Sequence, residues 1–126
     1  MDWEKASPEL GELLIEAARP FALVETRKMF GGVSLFINGN MIGGVHGKKI
    51  VLRLNEQDRV AAERDADMIP FEPMPGRLMK EYVVVPDSVY QDPDGFEEWL
   101  RRSVEFVGSL PVKEAKPRKR KDPGGR

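Results

Sequence analysis

Arg27-Lys28-Met29-Phe30-Gly31-Gly32-Val33-Ser34-Leu35-Phe36-Ile37-Asn38-Gly39-Asn40-Met41-Ile42-Gly43-Gly44-Val45-His46-Gly47-Lys48-Lys49-Ile50-Val51-Leu52-Arg53-Leu54 is a series of short β-rich runs cut by glycines. That is the signature of an antiparallel meander. Asn38-Gly39 lies between two apolar runs and reads as a type I′ hairpin turn, which needs φ > 0 at both central residues. The expected register pairs Ile37 with Asn40, Leu35 with Ile42 and Val33 with Gly44. Side chains alternate along a strand, so Val33, Leu35, Ile37 and Ile42 should then share a face.

The second turn is constrained by parity. A two-residue His46-Gly47 loop would pair Val45 with Lys48 and send Ile50 to the face opposite Leu35. A one-residue slip flips every side chain of a strand. A three-residue loop, Val45-His46-Gly47 with Gly47 left-handed, brings Ile42 opposite Ile50 and is the preferred reading. Gly31-Gly32 is open to a bulge or a close backbone approach. No helix start follows this pair, which argues against a phosphate-cradling loop.

Around the meander, Ser7-Pro8-Glu9 opens a helix, with Ser7 as N-cap and Pro8 at the first helical position. Leu10, Leu13, Leu14 and Ala17 give it an apolar stripe, and Pro20 ends it. The first strand is expected from about Val24 and runs into the meander. Asn55 caps a second helix from Glu56 to about Arg64, whose weak stripe is Val60 and Ala61. Ile69-Pro70-Phe71-Glu72-Pro73 should be extended, Met74-Pro75-Gly76 a turn, and Leu78 to Val85 a strand. Asp92-Pro93-Asp94 begins the last helix, with Phe96, Trp99, Leu100, Val104 and Val107 facing inward and Gly108 at its end. The order is helix, three strands, helix, two strands, helix. The simplest packing is a two-layer α+β fold, an antiparallel sheet with helices on one face.

The 126 residues suit one domain, expected over 1–110. There is no cysteine, hence no disulfide framework and no thiolate chemistry. Absence of a signal-peptide pattern and of a long apolar run points to a soluble, cytoplasmic protein. The net charge of −1 is uneven: residues 111–126 carry +5, leaving −6 on 1–110. This basic segment, poor in apolar residues, is expected to be a disordered tail. Its block Lys116, Arg118, Lys119, Arg120 and Lys121 is a candidate contact for phosphate backbones, or else a solvated solubility tail.

No catalytic constellation stands out. His46 is the single histidine; it falls in the expected second turn and lacks an orienting partner. One histidine and no cysteine leave only carboxylates for a metal, at unsuitable spacing. Asp92 with Asp94, and Glu97-Glu98, sit at a helix start, where acids favour the macrodipole. Met29, Met41, Met74 and Met79 suit either core filling or an adaptable binding surface. Lys48 and Lys49 are candidate charges blunting a sheet edge. No cofactor, metal or small-molecule substrate is expected.

Arg27-Lys28-Met29-Phe30-Gly31-Gly32-Val33, followed by Asn38-Gly39 and Met41-Ile42-Gly43, resembles the N-terminal domain of the TfoX/Sxy competence-regulator family. Pro70-Phe71, Gly76-Arg77-Leu78-Met79, Tyr82, Val85-Pro86, Asp92-Pro93 and Trp99 extend the resemblance over roughly residues 8–108. It implies a secretion-chaperone-like α+β fold in the order α-β3-α-β2-α. Arg27, Met29, Phe30, Gly31, Gly32, Gly39, Gly76, Arg77 and Met79 would be family-motif residues, mainly structural. The family implies no enzymatic reaction; some members regulate DNA uptake together with a cyclic-AMP receptor-type activator. Longer members carry a second, helical domain where this chain has its basic tail. The expected function is therefore a non-enzymatic regulatory or interaction domain with a protein partner, such as a transcription regulator or polymerase component. The alternative is a nucleic-acid-associated protein that uses the tail.

Overall fold

The computed structural model describes residues 7–29 and 32–112. Its elements are α1 (Pro8–Ala18), β1 (Glu25–Met29), β2 (Gly32–Ile37), β3 (Asn40–His46), β4 (Lys49–Arg53), α2 (Glu56–Asp65), β5 (Ile69–Met74), β6 (Arg77–Val85), α3 (Asp87–Tyr90) and α4 (Pro93–Gly108). The six strands form one antiparallel sheet in the order β1-β2-β3-β4-β6-β5. The α+β class and the antiparallel sheet are as expected. The element count is not: four strands precede α2, and a single-turn helix precedes α4. Met29 pairs with Gly32, so the chain reverses between them instead of running as one strand from Val24. Gly32 thus opens a strand of its own.

Helix boundaries follow their caps. The Ser7 hydroxyl accepts from the Leu10 N–H at 3.3 Å, and Asn55 Oδ1 accepts from the Asp58 N–H at 2.7 Å. Leu10, Leu14 and Ala18 of α1 and Phe96, Leu100 and Val107 of α4 are buried against Val33, Leu35, Ile37, Ile50, Leu52, Val83 and Val85 of the sheet. In α2 the buried residue is Ala62, and Val60 is exposed, so the expected stripe is displaced.

The Asn38-Gly39 turn has φ of 52° and 81°, as a type I′ turn requires. Ile37 pairs with Asn40 as expected, but the register then changes. Phe36 faces Met41 and Leu35 faces Gly43, leaving Ile42 as the extra residue of a β-bulge. The second turn differs from both readings. His46 pairs with Lys49 and Val45 with Ile50, so the loop is Gly47-Lys48. Gly47 alone has positive φ, 62°, which fits a type II′ turn. An even loop keeps parity because the bulge at Ile42 supplies the one-residue shift. His46 therefore ends a strand and does not lie in the turn. Lys48 and Lys49 border interior strands, and the sheet edges are β1 and β5.

The bulge explains two neighbours. Gly43 lies opposite both Leu35 and Leu52, where an added Cβ would run into the Val51 carbonyl oxygen and sit 3.0 Å from Leu52 Cδ2. The β3–β4 ladder ends at Gly43 and Leu52. Past that point the fully buried Ser103 of α4 donates its hydroxyl to the Arg53 carbonyl at 2.7 Å, with the Ile42 carbonyl at 3.2 Å as second acceptor. Arg53 Nη1 donates to the Met41 carbonyl at 3.5 Å. Backbone oxygens that the ladder no longer pairs thus find side-chain donors, as buried carbonyls must.

Candidate functional site

The β5–β6 hairpin departs most from a packed sheet. It turns at Pro75-Gly76, with Met74 paired to Arg77 and Gly76 at φ 81°. Proline and a left-handed glycine are the residues a type II turn calls for. The Gly76 N–H donates to Glu72 Oε2 at 2.7 Å, which fixes the tip. Phe71 pairs with Met79 and Pro70 with Val83, so Lys80, Glu81 and Tyr82 bulge out of the β5–β6 ladder. β4 accompanies β6 in register only over Tyr82–Val85. Arg77 to Lys80 therefore have β5 alone beside them.

The free part of the hairpin bends across the helix-free face. The Phe71 and His46 rings meet edge-to-face at 5.1 Å although β4 and β6 separate their strands. Val51 and Phe71 are buried there, outside the main core. The remaining apolar side chains point to solvent: Ile69 is 59% exposed, Leu78 56%, Met74 52% and Met79 38%. These four, with Leu23, Val60 and Val112, are the exposed large hydrophobic residues among those described. Large apolar side chains left exposed on one element mark it as a candidate interaction site. Methionine suits such a surface because its unbranched thioether adapts to different partners. Arg77 and Lys80 are exposed beside them.

Next to the hairpin, a groove of about 380 Å³ is lined by Asn55, Glu56, Arg59, Lys80, Glu81 and Phe106. Its charges are mixed, and Glu81 is already held by Arg53 at 2.7 Å. Burial pushes the neighbouring Tyr82 phenol above its ordinary value, against the opposing pull of Arg53. Among the described residues no group of His, Asp and Glu is placed to hold a metal ion. No helix among them is long and apolar enough to cross a membrane.

The motif residues do not converge. Arg27, Met29 and Gly32 belong to the β1–β2 edge, where the Arg27 guanidinium lies 4.1 Å over the Phe36 ring and 3.4 Å from Glu25. Gly39 forms its turn. Gly76, Arg77 and Met79 sit at the β5 edge, the far side of the sheet. Phe30 and Gly31, and Lys116, Arg118, Lys119, Arg120 and Lys121, lie outside the described residues. Met74 and Met79 are exposed and do not fill the core. Ile69 and Leu78 were not singled out by sequence reasoning. For Leu78 the signal was the adjacent pair Leu78-Met79, since neighbouring apolar residues in a strand go to opposite faces.

No curated protein sequence matches the chain. The model of the TfoX N-terminal domain matches residues 16–107, from within α1 to the last turn of α4. The chain therefore belongs to the TfoX N-terminal domain family, a regulatory-type family that is not a known enzyme family.

Proposed function

We propose that this protein is a non-enzymatic regulatory domain that acts by binding another protein, in the transcriptional control of DNA uptake. The observation that carries the reading is that four large apolar side chains, Ile69, Met74, Leu78 and Met79, are exposed on a single hairpin. A fold that spends its helices covering one sheet face leaves this hairpin uncovered, with adaptable methionines flanked by Arg77 and Lys80. Family membership supports the regulatory role. The test is capture from bacterial extract with the full chain and with a Met74→Ser/Leu78→Ser/Met79→Ser variant, read by mass spectrometry. A transcription regulator or polymerase subunit retained by the first and lost by the second is the expected result. An identical protein set on both baits overturns the hairpin as the contact.

A second reading rests on charge. Residues 113–121 hold six cations, Lys113 among them, beside a body at −6. The chain enters this segment next to the β2–β3 turn, where Asn40 Nδ2 donates to the Pro111 carbonyl at 3.0 Å. Phosphate contacts by such a tail would be strongly salt-dependent, with a slope growing by about 0.9 per phosphate neutralised, and would not read sequence. Fluorescence anisotropy on duplex DNA at several salt concentrations, with and without residues 113–126, tests it. Truncation should remove most of the affinity and flatten the slope; an unchanged slope rejects the tail as the contact.

A further inference from the structure

The two sheet edges are not equivalent. β5 carries Pro70 and Pro73 within its six residues, so that edge strand lacks two backbone donors. β1 is Glu25-Thr26-Arg27-Lys28-Met29, without proline or glycine. Every second residue of an edge strand points its N–H and C=O away from the sheet. Glu25, Thr26, Arg27 and Lys28 are all exposed. Charge on an edge normally discourages pairing, but this charge alternates in sign on one face. Glu25 and Arg27 project to the same side, since their side chains approach to 3.4 Å.

We infer that β1 is a self-recognition edge, on which a second copy of this chain adds its own β1 antiparallel with Thr26 on the two-fold axis. Among the four exposed residues Glu25 to Lys28, the register follows by elimination. Two identical antiparallel strands that hydrogen-bond through their outward groups must place one residue opposite itself. Centred on Glu25, that residue is a glutamate facing a glutamate. Centred on Arg27 or Lys28, it is a pair of like cations. Like charges directly opposite are destabilising. Centred on Thr26, Glu25 faces Arg27 of the copy twice, and the two threonines meet, a favourable cross-strand pair. The Arg27 guanidinium is already oriented for this by the Phe36 ring at 4.1 Å. Leu23, 79% exposed just before β1, then meets the C-terminal end of the copy's β1.

The result is one continuous sheet across two chains. The interface is isologous and closes at two. Both β1 edges are consumed, and the edges that remain are the proline-bearing β5 strands, so growth into fibres is blocked. A single five-residue strand edge buries less than a standard interface, so the dimer is concentration-dependent. This surface lies at the opposite edge from the hairpin and does not depend on the partner reading.

The chain has no cysteine, which gives a clean test. In Thr26→Cys the paired Cα atoms lie about 4.5–5.5 Å apart, within disulfide reach. In Lys28→Cys the two copies sit four residues out of register, about 13 Å along the strand. Oxidation of the full chain should cross-link the first variant and not the second. Sedimentation equilibrium should show Arg27→Glu weakening the dimer at least tenfold. The double swap Glu25→Arg/Arg27→Glu should restore it to within about threefold, because the pairs are rebuilt with reversed sign. A wild-type chain that stays monomeric up to about 1 mM overturns the inference. So does equal cross-linking at both positions, or a folded double swap that fails to recover. Loss of the dimer in the serine-substituted hairpin variant would move the interface to the hairpin and overturn it equally.

Discussion

Strands β2 to β4 and the β5–β6 hairpin draw on the same residue types, and their apolar side chains end in opposite environments. In β2 to β4, Val33, Leu35, Ile37, Ile50 and Leu52 are sealed under α1 and α4. In the hairpin, Ile69, Met74, Leu78 and Met79 stay exposed. The difference is one of coverage. β2, β3 and β4 have strands on both sides and helices above. Arg77 to Lys80 have a strand on one side, because β4 has already given way to α2. Burial at about 25 cal/mol per Å² stabilises the first region, and the second forgoes that gain. Apolar side chains left in water without a folding benefit are the part of the molecule available to a partner.

The contrast predicts a steep gradient in mutational cost. Gly43→Val stands at the top. An added Cβ there meets the Val51 backbone oxygen, which cannot swing aside as a flexible side chain would. The loss should exceed the ~1–3 kcal/mol usual for overpacked cores. Urea denaturation followed by circular dichroism measures it; a midpoint near wild type would mean the bulge relaxes freely. Gly39→Val comes next. It forces a β-branched residue to the φ of 81° seen at Gly39, at a cost of about 1–3 kcal/mol. The same titration reads this, and no change would remove the type I′ assignment.

Features that follow from a single local preference were legible in the sequence. Asn38-Gly39, the Ser7 and Asn55 caps and the α4 stripe all appear where residue chemistry puts them. The bulge at Ile42 was not, for a physical reason. An odd loop and a bulge shift strand parity by the same single residue, so apolar periodicity cannot separate them. The separation of β1 from β2 was hidden because a glycine such as Gly32 can sit in a bulge or at the start of a strand alike. One-turn α3 is too short to show a period. Ser103 reads as a neutral helical residue, and its importance lies in two carbonyls far away in sequence. The hairpin's exposed surface was half visible: its methionines suggested either core or binding site, and only coverage by helices decides between them.

Ser103 gives the next step down the gradient. Its hydroxyl is the side-chain donor that the fold brings to the Arg53 and Ile42 carbonyls, where the β3–β4 ladder stops. Ser103→Ala removes little volume but leaves those acceptors short of a partner in a dry site. A loss of about 1–2 kcal/mol is expected, within the range for unsatisfied buried groups. The measurement is the urea midpoint of the Ala variant, with the m-value as a check that the folded state stays compact. A loss under 0.3 kcal/mol, below the smallest typical hydrogen-bond contribution of roughly 0.5, would mean water or another donor replaces the hydroxyl.

The smallest effect should come from the hairpin itself. Leu78 and Met79 are 56% and 38% exposed, and the tip is held by other groups: the Gly76 N–H on Glu72 and the left-handed glycine. Replacing Leu78 and Met79 by serine removes apolar surface that folding buries only in part, so stability should fall by no more than about 0.5 kcal/mol per residue. Serine at both positions also lowers exposed hydrophobic area, so solubility should rise. The pairing of outcomes matters more than either alone. A quiet stability change together with lost partner capture means these side chains serve binding and not packing. A loss well above 1 kcal/mol means that they pack against the folded body, and their exposure then no longer supports a docking role.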